Sequence, residues 1–202
     1  GDSSAVANKL ADGVIKIFST KEAFAALKDD GSVVTWGDDE EGGDSSAVSN
    51  LLNSNVSHIY STDTAFAALK EDGSVVTWGS TSNGGDSSEV NSFLNSNVID
   101  ISSNKYAFAA LKEDGSVVTW GGQNSFSGDG GDSSAVANDL ANGVVKIFAA
   151  QEAFAALKDD GSVITWGDDD EGGDSSGVST FLESDVTHIY STDAAFAALK
   201  DD

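Results

Sequence analysis

The chain has 202 residues, with ten Lys, no Arg, 34 Asp and Glu, and a formal net charge of −24. That balance excludes nucleic acid as a partner, because neutralising phosphates takes Lys and Arg, and no apolar run approaches the roughly 18 residues of a membrane-inserted segment. Cys is absent, which excludes disulfides, thiolate metal sites and Cys nucleophiles, and no signal or transit segment is visible at Gly1-Asp2-Ser3.

Self-similarity governs the rest. Gly-Asp-Ser-Ser recurs at Gly1, Gly43, Gly85, Gly131 and Gly173, and Ala-Phe-Ala-Ala-Leu-Lys begins at Ala23, Ala65, Ala107, Ala153 and Ala195. The spacing of 42, 42, 46 and 42 divides one array into units 1–42, 43–84, 85–130, 131–172 and 173–202. The fifth stops before the Gly-Ser-Val-Val-Thr-Trp-Gly of the others, so the sequence reads as a window on a longer array. A second period lies over the first: unit 131–172 repeats unit 1–42 at 34 of 42 positions, and 173–202 repeats 43–72 at 22 of 30. His58 returns as His188 and Tyr60 as Tyr190, three units later.

Each unit opens with Asp-Ser-Ser before an i, i+4 apolar pair, Val6 and Leu10 in the first, Val48 and Leu52 in the second. This predicts an N-capped helix of about nine residues, too short to persist without packing. Gly13 and Gly143 stand where the helix would end in a left-handed residue; Asn55, Asn97 and Asp185 take that place elsewhere. The β-branched run Val14-Ile15-Lys16-Ile17-Phe18 then predicts a strand. Ala23 to Lys28, Asp29-Asp30-Gly31 and Ser32 to Gly37 follow; Asp-Gly between two β-compatible runs is a hairpin signal, although the Ala-rich arm has helical propensity of its own. The unit is therefore a short helix and a three-stranded antiparallel meander, stacked on its neighbours because one unit buries too little alone. Trp36, Trp78, Trp120 and Trp166, the largest apolar groups, are expected to seal the joints between units.

The run Ala-Phe-Ala-Ala-Leu-Lys-Asp-Asp-Gly-Ser-Val-Val-Thr-Trp-Gly resembles the repeats named after the regulator of chromosome condensation. Ala26-Leu27, Asp30-Gly31 and Trp36-Gly37 match that pattern, as do Val14 and Ile17 ahead of the hairpin. The resemblance implies β-propeller blades. The family repeat is longer and carries a Gly-Gln-Leu-Gly segment and a Pro; here Gly42-Gly43-Asp44-Ser45-Ser46 stands instead, and Pro is absent. The fold expected is thus a β-rich repeat protein with short helices and propeller-like blades, the alternative being an open superhelical solenoid with three units per turn. The family's exchange-factor and chromatin roles do not carry over to so acidic a chain.

Two acidic loops, Asp38-Asp39-Glu40-Glu41 and Asp168-Asp169-Asp170-Glu171, could supply oxygen ligands for Ca²⁺. The bland alternative is a solvated loop, which fits Ser80-Thr81-Ser82-Asn83 at the equivalent place. No cofactor other than Ca²⁺ is expected. Asp-Ser in each unit has no His at a fixed offset, so no nucleophile site and no enzyme activity are expected. The insertion between Gly121 and Gly130 carries Phe126, a place where specificity could sit. The functional expectation is a non-enzymatic structural repeat protein of a bacterial surface, extracellular fibre or giant secreted protein, with other copies or further units of the array as partners. The alternative is a closed propeller that binds a protein or a glycan.

Overall fold

A computed structural model describes residues 1–122 and 128–201; Phe126 lies outside the described residues. The chain forms two compact units, 1–98 and 99–202. The first holds two three-stranded antiparallel sheets: β1 (Val14–Ser19), β2 (Ala23–Lys28) and β3 (Val33–Gly37), then β4 (Val56–Ser61), β5 (Ala65–Lys70) and β6 (Val75–Gly79). The second holds β7 (Val98–Ser103), β8 (Ala107–Lys112) and β9 (Val117–Gly121), then β10 (Val144–Ala149), β11 (Ala153–Lys158) and β12 (Val163–Gly167), and last a pair, β13 (Val186–Ser191) and β14 (Phe196–Lys200). The expected meander and propeller-like blades are present. No helix among the described residues is long and apolar enough to cross a membrane.

The turn between β2 and β3 shows how the local sequence sets this register. Asp30 Oδ1 accepts the Ser32 N–H and hydroxyl, at 2.9 and 2.6 Å. Gly31 then takes φ +73°, which gives a three-residue hairpin loop ending in a glycine bulge. The pairing that follows, Phe24↔Trp36 and Ala26↔Val34, puts the two rings on one face and the alanines Ala23 and Ala25 on the other. The small alanines let the next sheet approach closely: Ala23, Ala25 and Leu27 pack against Leu52, Val56, Ile59, Phe66 and Trp78. The second unit repeats this, with Ala107, Ala109 and Leu111 against Leu140, Val144, Ile147, Phe154 and Trp166.

The first strand of each blade carries a feature that alternation alone does not give. Val56 and Ile59 are three residues apart, yet both are buried. Strict period-two alternation would place them on opposite faces. A bulge between Val56 and His58 resolves this by inserting one extra residue. The same irregularity follows Val14, Val144 and Val186.

The nine-residue helix is not formed. Ser4–Val6, Ser46–Val48 and Ser134–Val136 are three-residue 3₁₀ turns, and the one α-helical segment, Asn91–Leu94, has four residues. A single i→i+4 bond, Leu52 N–H to Val48 O at 3.2 Å, completes the turn. The cause is length: one apolar pair followed by Asn, Asp or Gly cannot sustain propagation. The cap differs too. Asp44 Oδ1 accepts the Ser46 N–H at 2.8 Å, whereas Ser45 at the N-cap position makes no capping bond.

The residue ahead of each first strand is left-handed as the sequence suggested, with φ +63° at Asn55 and +66° at Asp185. Asn tolerates this better than Ala. Replacing Asn55 by Ala is expected to cost about 1–2 kcal/mol, whereas Asn55→Gly stays within about 0.5 kcal/mol of the wild type, since relief of strain offsets the added unfolded-state entropy. Urea melts of the two variants measure it; equal losses would refute the backbone argument.

Candidate binding surface

Most of the residues that looked chemically active hold the fold. Ser45 Oγ lies 2.9 Å from Thr35 Oγ1, and Ser87 pairs with Thr77, Ser133 with Thr119 and Ser175 with Thr165 in the same way. The Asp-Ser-Ser motif thus builds a turn with its Asp and fastens that turn to the preceding strand with its first Ser. The buried Thr62 and Asn104 are likewise occupied: Thr62 Oγ1 accepts the Ala65 N–H and donates to Asn83 O, and Asn104 Nδ2 donates to Asp129 O at 2.7 Å.

The acidic loops do not converge. Asp38 Oδ1 accepts the N–H groups of Glu40 and Glu41 at 3.0 and 3.3 Å, and Asp168 accepts that of Asp170 at 2.9 Å. Asp39, Glu40, Asp169 and Asp170 point into solvent. Glu41 and Glu171 turn back and are half-buried. Burial, with the charges of Glu22 and Asp38, raises the Glu41 carboxyl; burial, with Glu152 and Asp168, raises that of Glu171. The described residues contain no group of three or more His, Cys, Asp or Glu side chains arranged to hold a metal ion.

The tryptophans stack on the phenylalanine across the hairpin, Phe24 on Trp36 at 5.2 Å, Phe66 on Trp78 at 5.1 Å, Phe108 on Trp120 at 5.2 Å and Phe154 on Trp166 at 5.4 Å. Trp78 Nε1 donates to Gly42 O and Trp166 Nε1 to Gly130 O, each at 3.0 Å. Gly42 needs to be glycine, because a Cβ there would stand 2.6 Å from the Phe66 ring.

What the sequence reading overlooked lies on the first strands. Lys16 Nζ sits 4.6 Å above the Phe18 ring. Phe18 meets His58 edge-on at 5.1 Å, and His58 packs on Tyr60 at 4.7 Å. The same ladder is built in the second unit by Lys146, Phe148, His188 and Tyr190, with separations of 4.8, 5.5 and 4.6 Å. Lys16 and Phe18 share a face of β1 beyond the bulge, and His58 and Tyr60 share the matching face of β4. The ladder is accessible at its end, where Tyr190 is 58% exposed. Lys105, 4.6 Å from the Tyr106 ring and 3.3 Å from Glu152, makes a further cationic contact; hydrogen bonds to Tyr106 and Glu152 hold its ammonium above the usual lysine range. The available signal was positional: Phe18, Tyr60, Phe148 and Tyr190 occupy one place in the repeat.

Titration of the caps gives a further expectation. Nine Asp carboxyls, those of Asp2, Asp30, Asp44, Asp72, Asp86, Asp114, Asp132, Asp160 and Asp174, accept hydrogen bonds from the Ser two residues on and are held below the ordinary Asp value of 3.8. Their stabilisation is complete above 3.8 and is lost as pH falls through the lower folded-state values. Glu41 and Glu171 act oppositely, costing stability as pH rises past the ordinary Glu value of 4.5. Self-repulsion at −24 adds to that cost at neutral pH. The melting temperature is therefore expected to rise on acidification from pH 7 toward 4.5 and to fall below 3.8, with NaCl raising it at pH 7. A calorimetric pH series checks this; a monotonic fall from neutral pH would contradict it.

No protein-family model matches the chain, and no characterised protein matches it in sequence. Solved structures do match. Yeast RCC1 (Prp20), solved bound to Kap60, aligns with TM-score 0.58 and 17% identity over 94% of this chain and 54% of its own. Human WBSCR16 aligns with TM-score 0.53 and 17% identity over 94% of this chain and 58% of its own. Prp20p from Saccharomyces cerevisiae, described with binding properties to Gsp1p and histones, gives 0.51 and 15% over 93% and 50%. The chain therefore has an RCC1-like repeat fold built of propeller-like blades. It spans about half the length of these structures, and the likeness is one of fold.

Proposed function

We propose that the chain is a non-enzymatic binding platform and that the ladders Lys16–Phe18–His58–Tyr60 and Lys146–Phe148–His188–Tyr190 are its recognition elements. The observation that carries this is their recurrence in both units, on first strands that pair on one edge only. Aromatic edges with an ammonium beside them suit stacking and cation contacts. The net charge of −24 favours a partner with a basic surface, drawn in by long-range attraction. Protein partners of the similar structures, Kap60 and Gsp1p among them, support a protein ahead of a glycan. The test is binding of the labelled chain to a panel of basic proteins and glycans, with the double variant Phe18→Ser/Phe148→Ser as comparison. Loss of roughly tenfold in affinity at unchanged net charge is the expected result. Binding that follows salt alone and ignores the two Phe would leave only non-specific attraction and refute the ladders.

A second reading, a structural array in a bacterial surface or extracellular protein, is favoured by the uniform backbone joints. Val56 N–H donates to Gly31 O, Val144 N–H to Gly115 O and Val186 N–H to Gly161 O, each at 3.0 Å. Mild proteolysis of intact source cells tests the location: protection of the chain until lysis would count against it.

A further inference from the structure

We propose that the outer edge of β14 accepts an extended Ser-Val-Val-Thr-Trp-Gly segment from a separate polypeptide. The sheet of β13 and β14 has two strands among the described residues, where the other sheets have three. The consequence is visible in burial. Leu199 is 52% exposed, whereas Leu157, its counterpart on β11, is 8% exposed. An unpaired edge with its N–H and C=O groups open is a template for strand addition.

The side-chain surroundings specify which strand. A cavity of about 380 Å³ lies over Phe196 and Ala198, walled by Val163, Leu182 and Ile189. In the second sheet the corresponding Phe66, Ala68, Leu52 and Ile59 are covered by Val76 and Trp78 of β6. The cavity in the fifth sheet therefore has the form of a Val and a Trp two residues apart. The complete sheets also give the register: Phe154 pairs with Trp166 and Ala156 with Ile164. The incoming Trp stands opposite Phe196, and the residue two before it opposite Ala198. A polar determinant is in place as well. Gly172 holds the position of Gly42 and Gly130, whose carbonyls accept the indole N–H, and a Cβ at Gly172 would lie 2.8 Å from the Phe196 ring, as one at Gly42 would lie 2.6 Å from Phe66. Each complete sheet already holds its own third strand in register, so the donor is another polypeptide carrying the same pattern. This inference is independent of the aromatic ladders.

Calorimetric titration of the 202-residue chain with the synthetic peptide Asp-Gly-Ser-Val-Val-Thr-Trp-Gly tests it. One peptide is expected to bind per chain, saturably. The same peptide with its Trp replaced by Ser is expected to bind at least about tenfold more weakly, and Ala198→Trp, which fills the cavity from within, is expected to abolish binding. Ala198 is exposed, so that variant keeps the fold, which circular dichroism verifies; Gly177→Ala, at a glycine with nothing within 4 Å, keeps full affinity. Absence of saturation, equal affinity for the Ser peptide, more than one peptide per chain or unimpaired binding by Ala198→Trp would each overturn the proposal.

Discussion

Replacing Trp78 by Ala is expected to destabilise the first unit by about 3–5 kcal/mol, the range for removing a buried aromatic side chain. At roughly 2–4 °C per kcal/mol for a chain of this size, the melting temperature falls by about 10 °C or more. Three contributions are lost together. Trp78 is 4% exposed within the cluster that joins the first two sheets. Its ring stacks on Phe66 at 5.1 Å. Its Nε1 satisfies Gly42 O, which becomes an orphaned acceptor when the indole is gone. Trp78→Phe keeps most of the apolar contact and loses the hydrogen bond, so a loss of about 1–2 kcal/mol is expected there. The informative comparison is Trp36→Ala. Trp36 makes the same stack, on Phe24 at 5.2 Å, but is only half-buried. If the tryptophan acts at the joint between sheets, its loss costs clearly less at 36 than at 78. Equal losses would place the whole effect inside the hairpin and refute the joint-sealing role.

The second large effect is expected at Gly31. A Cβ there would stand 2.6 Å from the backbone nitrogen of Asn55 and 3.2 Å from that of Val56, in a residue held at φ +73°. Those atoms are main chain and cannot turn away as a side chain would. Gly31→Ala therefore adds the left-handed penalty of about 1–2 kcal/mol to a forced separation of the two sheets. The joint opens at the place where Val56 N–H donates to Gly31 O at 3.0 Å, and an orphaned buried pair adds roughly 1–3 kcal/mol more. Gly13 supplies the control. It has nearly the same φ, +72°, but a Cβ there would meet Asp29 Oδ1 and Lys28 Cε, ends of side chains that can move. Gly13→Ala is expected to show the conformational penalty alone. Guanidinium melts that give the two variants the same loss would show that close approach between sheets contributes nothing.

Both effects depend on features the sequence discloses to different degrees. The hairpin is local: Asp30, Gly31 and Ser32 form their turn from bonds within three residues, so the turn is legible wherever Asp-Gly-Ser occurs. Ala23 to Lys28 is less secure, because its Ala, Leu and Lys favour a helix in isolation. The paired strand prevails because the turn returns Val33 to Gly37 alongside it. The Val6 and Leu10 pair misleads in the other direction. Its spacing is helical, but the segment forms only a 3₁₀ turn, since so few bonds do not repay nucleation. The bulge after Val14 is hidden for a related reason: apolar residues three apart signal a helix turn, and only pairing with Leu27 and Lys28 shows that an extra residue bends a strand.

The candidate site is further from the sequence still. His58 and Tyr60 are visible as a recurring pair, but their partner Phe18 is forty residues earlier, on the first strand of another sheet. By itself the sequence determined the repeat, the meander, the glycine turns and the acidic, Cys-free surface. Each follows from the chemistry of neighbouring residues or from direct repetition. Tertiary structure alone decided which tryptophans are fully buried, that Ser45 and its equivalents fasten each turn to a preceding strand, that two aromatic ladders form, and that β14 keeps an open edge above an apolar cavity. These depend on which sheet stands next to which, and side-chain contact across sheets has no fixed spacing along the chain.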